Sequence, residues 1–411
     1  MSPRPGTPRP VLLVMPSLGH GGAERHGVRL VTALDRARWA PHVLVLDDGP
    51  LRAELEAAGI GVRVVPVPGG PRGLRATRDA VRAEVDAVRP AVVLAQHLRA
   101  DLPVRAALAG TGVPYLCFKH TYGHIGHRGL RERMIEKATG GAVTRYGAVC
   151  HTQVRYLTGE LGLDPRRISV LPNAVPVPET PPAPATGDAA TTVLMAAAMR
   201  ADKDHDLVLR AWPAVLRAVP EARLCLAGDG PCRADLERRA AELGITGSVE
   251  FLGVRDDVED LLAGSRALVL ASYAVECFPY AVLEAMAAAR AVVSTDVAGL
   301  PEMVDDGVTG RLVPPHDPDA LAAALVESLS PAADGWGAAG HARAATVFPY
   351  DGWAARADAL LQTVAGTPGR TEHGDPPGAA PDGGCDVRRA EPGAITPPAA
   401  VPTSSAEGHR P

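Results

Sequence analysis

From residue 11 to about residue 360, short β-branched apolar runs alternate with longer stretches of helical period. Such alternation marks βαβ units around parallel sheets, whose strands are buried on both faces and read as near-continuous apolar runs. In the first half the strand candidates are VLLVM (11–15), HVLVL (42–46), VRVVPV (62–67), AVVLA (91–95), VPYLCF (113–118) and YGAVC (146–150). Helical segments lie between them, for example 72–89, with Arg72, Arg75, Arg78 and Arg82 on a polar side. The stretch ISVLPNAVPVPETPPAPATGDAATT then loses all hydrophobic period and reads as a linker. The alternation restarts with TVLMAAA, ARLCLAG, SVEFLG, ALVLAS and AVVST, separated by helical patterns that include 204–218, 231–243 and 256–263. Asp317 followed by Pro318 marks one more helix start, as N-cap and first helical residue.

The fold class this predicts is α/β: two doubly wound, Rossmann-like domains facing each other across a cleft. The expected organisation is a flexible N-terminus (1–10), a first domain (11–172), a linker (173–191) and a second domain (192–348). A C-terminal helix (349–365) packing back towards the first domain and a disordered tail (366–411), almost without large apolar residues, complete it. In this architecture ligands bind outside the carboxyl ends of the strands, here in the cleft between the domains.

Composition narrows the function classes. A net charge of −5 over 411 residues gives no basic field for nucleic acid. The six cysteines (117, 150, 225, 232, 277, 385) have no C-x-x-C or zinc spacing and read as reduced thiols. The longest apolar runs are too short for a membrane span, and the N-terminus reads as a frayed tail before a strand rather than a signal peptide. A soluble, cytoplasmic protein is expected. There are only three lysines, Lys119, Lys137 and Lys203, so a retained Lys carries slightly more information than usual.

The candidate chemistry sits at strand ends. In ECFPYAVLEAMA (276–287) the carboxylate of Glu284 is surrounded by apolar residues, while Glu276 lies in the loop ahead of the helix. A buried carboxylate is costly unless it is paired. Pro279 suits the first helical turn, leaving the N–H groups of Cys277 and Phe278 at a helix N-terminus, an anion site. After VLMAAA come Arg200 and Lys203, a fork and a point charge suited to a diphosphate or, taken alone, two solvated loop cations. Gly228, Asp229 and Gly230 line a ligand or simply make a turn, and Gly299 permits close backbone approach. In the first domain Gly19, Gly21 and Gly22 join the first strand to the first helix. Asp47 and Asp48 at the next strand end keep a dinucleotide reading open, although the G-x-G-x-x-G spacing is missing. His120, His124 and His127 follow the fifth strand with no interleaved carboxylate, which argues against a metal site. His120 is the better candidate for contacting an acceptor, with His97 behind it, and a purely structural role remains the commoner fate of such histidines.

Assembled, these residues resemble the retaining nucleotide-sugar glycosyltransferases of family four, with GT-B architecture, over about residues 11–362. The most specific element is E-x7-E followed by A-M-A: Glu276, Glu284, Ala285, Met286 and Ala287. GGAE (21–24), LPNAV (171–175), Arg200 with Lys203, AGDGP (227–231), FLG (251–253) and AGLPEMV (298–304) support it in order. The resemblance implies that Arg200 and Lys203 hold the donor diphosphate, Glu284 the ribose hydroxyls and Glu276 the sugar hydroxyls. It further implies that amides at Cys277 and Phe278 face sugar and phosphate, and that residues near Val254 contact the base. Gly228 and Gly299 would line the donor, Gly21 and Gly22 approach it from the first domain, and His120 match an acceptor-side histidine loosely. No cofactor or metal is implied; the partners are a nucleotide sugar, favoured as a UDP-sugar, and an acceptor, with peripheral membrane contact left open through the arginine-bearing segments 72–89 and 128–137. Cys277 and Pro279 depart from the glycines common in the family, and Pro279 cannot donate an N–H. His151 stands where relatives commonly have Ser. A nucleotide-sugar 2-epimerase on the same plan and a non-catalytic sugar-nucleotide-binding protein are the alternatives.

Overall fold

The alternating runs form two wholly parallel sheets in the computed structural model, which describes residues 7–67, 70–120, 128–274 and 276–367. The first domain contains β1 (Arg9–Ser17), α1 (Gly22–Thr32), β2 (Trp39–Asp47), α2 (Arg52–Ala57), β3 (Gly61–Val64), α3 (Gly70–Val88) and β4 (Val92–Gln96). It continues through α4 (His97–Leu108), β5 (Tyr115–Phe118), α5 (Arg128–Thr139), β6 (Arg145–Ala148), α6 (His151–Gly159) and β7 (Ile168–Val170). The second contains β8 (Thr192–Ala196), α7 (His205–Ala218), β9 (Arg223–Ala227), α8 (Arg233–Glu242), β10 (Val249–Gly253), α9 (Val258–Ala263) and β11 (Ala267–Leu270). Then come α10 (Tyr280–Ala287), β12 (Ala291–Thr295), α11 (Leu300–Met303), β13 (Gly310–Val313), α12 (Pro318–Ser328), α13 (Ala333–Val347) and α14 (Tyr350–Gly366).

The strand orders are β3-β2-β1-β4-β5-β6-β7 and β10-β9-β8-β11-β12-β13. In each sheet the winding reverses beside the first strand, between β1 and β4 and between β8 and β11. Loops leaving those strands diverge there and open a crevice. The Gly21–Gly22 turn, Arg200 with Lys203 and Glu276 all belong to loops at these reversals.

Three local expectations change. β1 starts at Arg9, because Arg9 and Pro10 already pair with Trp39 and Ala40. Ile168–Val170, expected within the linker, is instead an edge strand on β6; three residues are too few to show a period. The stretch that follows is anchored too, since Leu171, Asn173, Ala174 and Val175 are buried. His124, His127 and the tail from residue 368 lie outside the described residues.

Burial explains the apolar runs: Val11–Met15 and Val92–Ala95 are fully buried, as are Val193–Met195 and Ala267–Val269. Helix α14 lays Trp353, Ala357, Leu361 and Val364 into the first domain's core. Its Asp358 accepts from the Trp39 indole at 2.5 Å and pairs with Arg38. The chain therefore crosses between domains twice. Beneath β5, Lys119 is buried between Asp101 (3.1 Å) and Glu136 (2.6 Å), both of which also hold Arg105. No described helix is long and apolar enough to cross a membrane.

Candidate functional site

At the end of β8 the chain makes a tight turn over Ala201–Lys203. Asp204 follows in the left-handed region (φ 46°) and caps α7 by accepting the Leu207 N–H at 3.2 Å. From this fixed turn Lys203 reaches across to Glu276, whose Oε1 accepts from both Lys203 Nζ and the Ser272 hydroxyl, the latter at 2.7 Å. Arg200 is forked over Asp202, Nε to Oδ1 at 2.9 Å and Nη2 to Oδ2 at 2.6 Å, with its side chain still 55% exposed. Its orientation is thus fixed while its outer face stays open to an anion.

The loop after β11 carries Glu276, Cys277 and Phe278. Pro279, expected in the first helical turn, is the N-cap of α10 (φ −68°, ψ 134°), and Tyr280 opens the helix. A proline φ suits either position, and the extended ψ decides between them. Among the described residues neither the Cys277 nor the Phe278 N–H donates a backbone hydrogen bond. Both amides are thus available at the positive end of α10. Gly299 closes on this loop from the other side: its N–H donates to Glu276 O at 2.8 Å, and a Cβ there would lie 1.6 Å from Cys277 O. Gly228 is equally confined, with φ 142° and Ala197 O 2.1 Å from where a Cβ would be. It donates to Gly253 O at 2.7 Å, joining the ends of β9 and β10, where the Val254 side chain is exposed.

Glu284 lies one helical turn beyond Tyr280, its side chain 17% exposed. Burial pushes its carboxyl above the ordinary value, opposed by Arg29 and Arg25. Arg29, which the motif reading passed over, donates to Glu284 Oε1 at 3.4 Å from α1 of the other domain. The signal for it was thin: one arginine, one turn after Arg25, in an amphipathic helix.

The first domain supplies a second group of polar residues. Gly21 caps α1 from an extended conformation, and Gly22 faces the Tyr280 ring, 4.0 Å from its would-be Cβ to Cδ2. Glu24 accepts from Ser17 at 3.2 Å and lies 3.7 Å from His97 Nε2. Burial raises its carboxyl, and His97 with Ser17 and its own backbone more than offset this, leaving it below the ordinary value. His97 itself takes φ 63°, a strained conformation for a non-glycine residue. His120 stacks on Phe118 and lies 4.8 Å, ring to ring, from His26. Burial, then His26 and His97, hold its imidazole well below the usual range, so the ring is neutral near pH 7. With the Gln96 carboxamide oriented to satisfy its neighbours, its nitrogen donates to His120 Nε2 at 3.0 Å. The network therefore assigns the His120 proton to Nδ1.

The two groups meet. His120 O accepts from Cys277 Sγ at 3.5 Å, and His20 pairs with Asp256 at 3.4 Å. His26 Nδ1 and Asn173 Oδ1 are 2.9 Å apart, and Asn173 Nδ2 donates to Phe278 O at 2.6 Å. Asn173 was legible as part of LPNAV, yet its bridging role needs the third dimension. Of the described candidates, Arg200, Lys203, Glu276, Cys277, Phe278, Glu284 and Gly299 of the second domain and Gly21, Gly22 and His120 of the first lie about this junction, with Gly228 and Val254 at the neighbouring strand ends. Asp47 and Asp48 are drawn off into surface pairs with Arg99 and Arg52. No group of three or more His, Cys, Asp or Glu among the described residues is arranged to hold a metal.

Comparison with known proteins bears on the fold and the family. Residues 20–178 match the model described as Glycosyltransferase Family 4, and residues 190–330 the model described as Glycosyl transferases group 1. A D-inositol 3-phosphate glycosyltransferase of Mycolicibacterium paratuberculosis is 38% identical over 170 residues, 39% of this chain and 36% of that protein. An exopolysaccharide phosphotransferase of Streptomyces coelicolor is 34% identical over 172 residues, 42% of this chain and 18% of that protein. The chain spans less than half the length of these curated relatives. The crystal structure of Anabaena HepE with UDP and glucose superposes with a TM-score of 0.75 at 19% identity, over 87% of this chain and 99% of that one. With both of its halves matched and its fold shared, this chain belongs to the family-four glycosyltransferases of GT-B architecture.

Proposed function

We propose that this protein is a retaining glycosyltransferase that moves a hexose-type sugar from a nucleotide diphosphate to a hydroxyl of a small-molecule or glycan acceptor. UDP is the favoured nucleotide, by likeness to HepE, whose structure contains UDP and glucose. The observation that carries the reading is the convergence of Arg200, Lys203, the Cys277 and Phe278 amides and the paired carboxylates Glu276 and Glu284 at the second sheet's reversal.

The bond to be broken joins the anomeric carbon to a phosphate oxygen, so most of the barrier concerns charge on the departing diphosphate. Arg200, Lys203 and the two amides are donors fixed in advance around that charge, which is the arrangement that lowers such a barrier. Lys203 is steered by Glu276, and Glu276 by Ser272, so the cation needs little reorganisation when the diphosphate arrives. Glu284 would accept the ribose hydroxyls, Glu276 those of the sugar, and the neutral His120 would donate from Nδ1 to a sugar or acceptor oxygen. Val254 would rest against the base. Retention, as the resemblance to the family implies, would proceed by attack from the face the diphosphate leaves.

The test is a mass-spectrometric screen of UDP- and GDP-sugars against a panel of hydroxylated acceptors, with anomeric configuration read by NMR. Transfer with retained configuration is expected. Conversion of a nucleotide sugar without any acceptor would identify an epimerase instead.

A further inference from the structure

We infer that Arg29 is a positioning residue for the nucleotide: from the first domain it grips one carboxylate oxygen of Glu284 and leaves the other for the ribose hydroxyls. The inference rests on the ribose role proposed for Glu284. Three contacts fix the guanidinium. Nη1 donates to Ala174 O at 3.2 Å, Nη2 donates to Glu284 Oε1 at 3.4 Å, and Cζ lies 4.5 Å from the centroid of the Tyr280 ring. Both partners are largely buried, with side chains 14% and 17% exposed. Among the described residues Glu284 Oε2 takes part in no hydrogen bond.

This arrangement does more than fill space. A planar fork held on a carbonyl and an aromatic face has one orientation, and it imposes one on the carboxylate it meets. Arg29 belongs to α1, whose first residue Gly22 faces the Tyr280 ring from the other domain. The carboxylate is therefore set for ribose only while the two domains are together. The charged and titratable groups facing Glu284 are Arg29 and Arg25 from α1, Glu259 from α9 and Tyr280 from its own helix. Arg29 leads those that oppose the effect of burial. Removing it should make Glu284 take up a proton at higher pH and lose its capacity as an acceptor there.

Calorimetry with UDP and GDP, following whichever the wild type binds more tightly, tests this from mildly acidic to mildly alkaline pH. Arg29→Ala should weaken nucleotide binding about tenfold and move its acid limb to higher pH. Arg29→Lys should restore the acid limb while regaining only part of the affinity. In a Glu284→Gln background, Arg29→Ala should cause little further loss. Unchanged affinity and acid limb in Arg29→Ala, or an undiminished loss in the Glu284→Gln background, overturns the inference. Undiminished affinity in Glu284→Ala would instead remove the ribose role beneath it. If Arg29→Ala does not fold, Arg29→Gln carries the same comparison.

Discussion

Lys203 and Glu276, 73 residues apart in sequence, form an ion pair at the second sheet's reversal, with side chains 16% and 7% exposed. Breaking one side of such a pair strands the other charge, whereas removing both does not. Lys203→Ala should therefore lower stability by about 2 kcal/mol, with Ser272 still partnering Glu276. It should also reduce turnover by about a hundredfold or more, through loss of the cation on the leaving diphosphate. The double variant Lys203→Met with Glu276→Gln should regain most of the stability and none of the activity. Thermal unfolding beside turnover separates the two effects, and wild-type turnover of Lys203→Ala would sink the diphosphate assignment.

Histidine burial sets a pH dependence of stability. Burial, against a hydrogen bond that His26 donates to Asn173 Oδ1 and that works the other way, pushes His26 down to about 4 from an ordinary 6.5. Between those values the folded chain binds fewer protons than the unfolded one. The contribution is therefore complete above pH 6.5 and is lost as pH falls towards 4. His205 is held at about 4 by burial as well, and it adds to the same slope. His26→Gln should make denaturant-derived stability fall less steeply through this window, by about 1.4 kcal/mol per pH unit at most. An unchanged slope would mean that His26 is charged in the folded protein.

Glu302 of α11 reaches the other domain, its carboxylate accepting the N–H groups of His151 at 2.8 Å and Thr152 at 2.6 Å. These are orphan donors at the start of α6, where a negative charge is favoured. The contact joins α11 of the second domain to α6 of the first. Glu302→Ala should cost about 1 kcal/mol and raise KM for the acceptor, while Glu302→Gln keeps an acceptor oxygen and loses less. Thermal unfolding and steady-state kinetics on the pair check this; equal losses for both variants would remove the capping role.

Much of this site was legible in the sequence because its residues sit at strand ends, and strand ends follow from apolar period. Lys203, Glu276 and Gly299 could be placed in this way, Glu284 by the helix that follows, and the E-x7-E spacing carried the family resemblance. Ile168–Val170 was not legible, because a three-residue edge strand has no period to show. Arg29 was hidden for a different reason, and so were the roles of Asn173 and Glu302, although LPNAV and AGLPEMV contain them. Each acts on a residue of the opposite domain more than a hundred positions away, as in Arg29 with Glu284 and Glu302 with Thr152. No local pattern encodes a partner brought by packing. The helix starts were right to within a residue or two, and Pro279 shows why the last step is hard, since its φ fits both N-cap and first turn.

Two glycines of the cleft separate structure from function. A methyl at Gly299 would meet the backbone carbonyl of Cys277, which has no freedom to withdraw. Gly299→Ala should therefore displace the Glu276–Phe278 loop, costing about 2 kcal/mol of stability together with most of the activity. Gly22 is the opposite case. It is the first residue of α1, and nothing lies nearer to its would-be Cβ than the Tyr280 ring at 4.0 Å. Alanine is the better helix former, so Gly22→Ala should leave the melting temperature unchanged or slightly higher. If the donor passes close to this backbone, the same methyl intrudes on it and should raise KM for the nucleotide sugar about tenfold. Stability and affinity would then move in opposite directions, which a purely structural glycine does not allow. A Gly22→Ala enzyme with wild-type KM would place the donor away from α1 and leave only the second domain's residues to hold it.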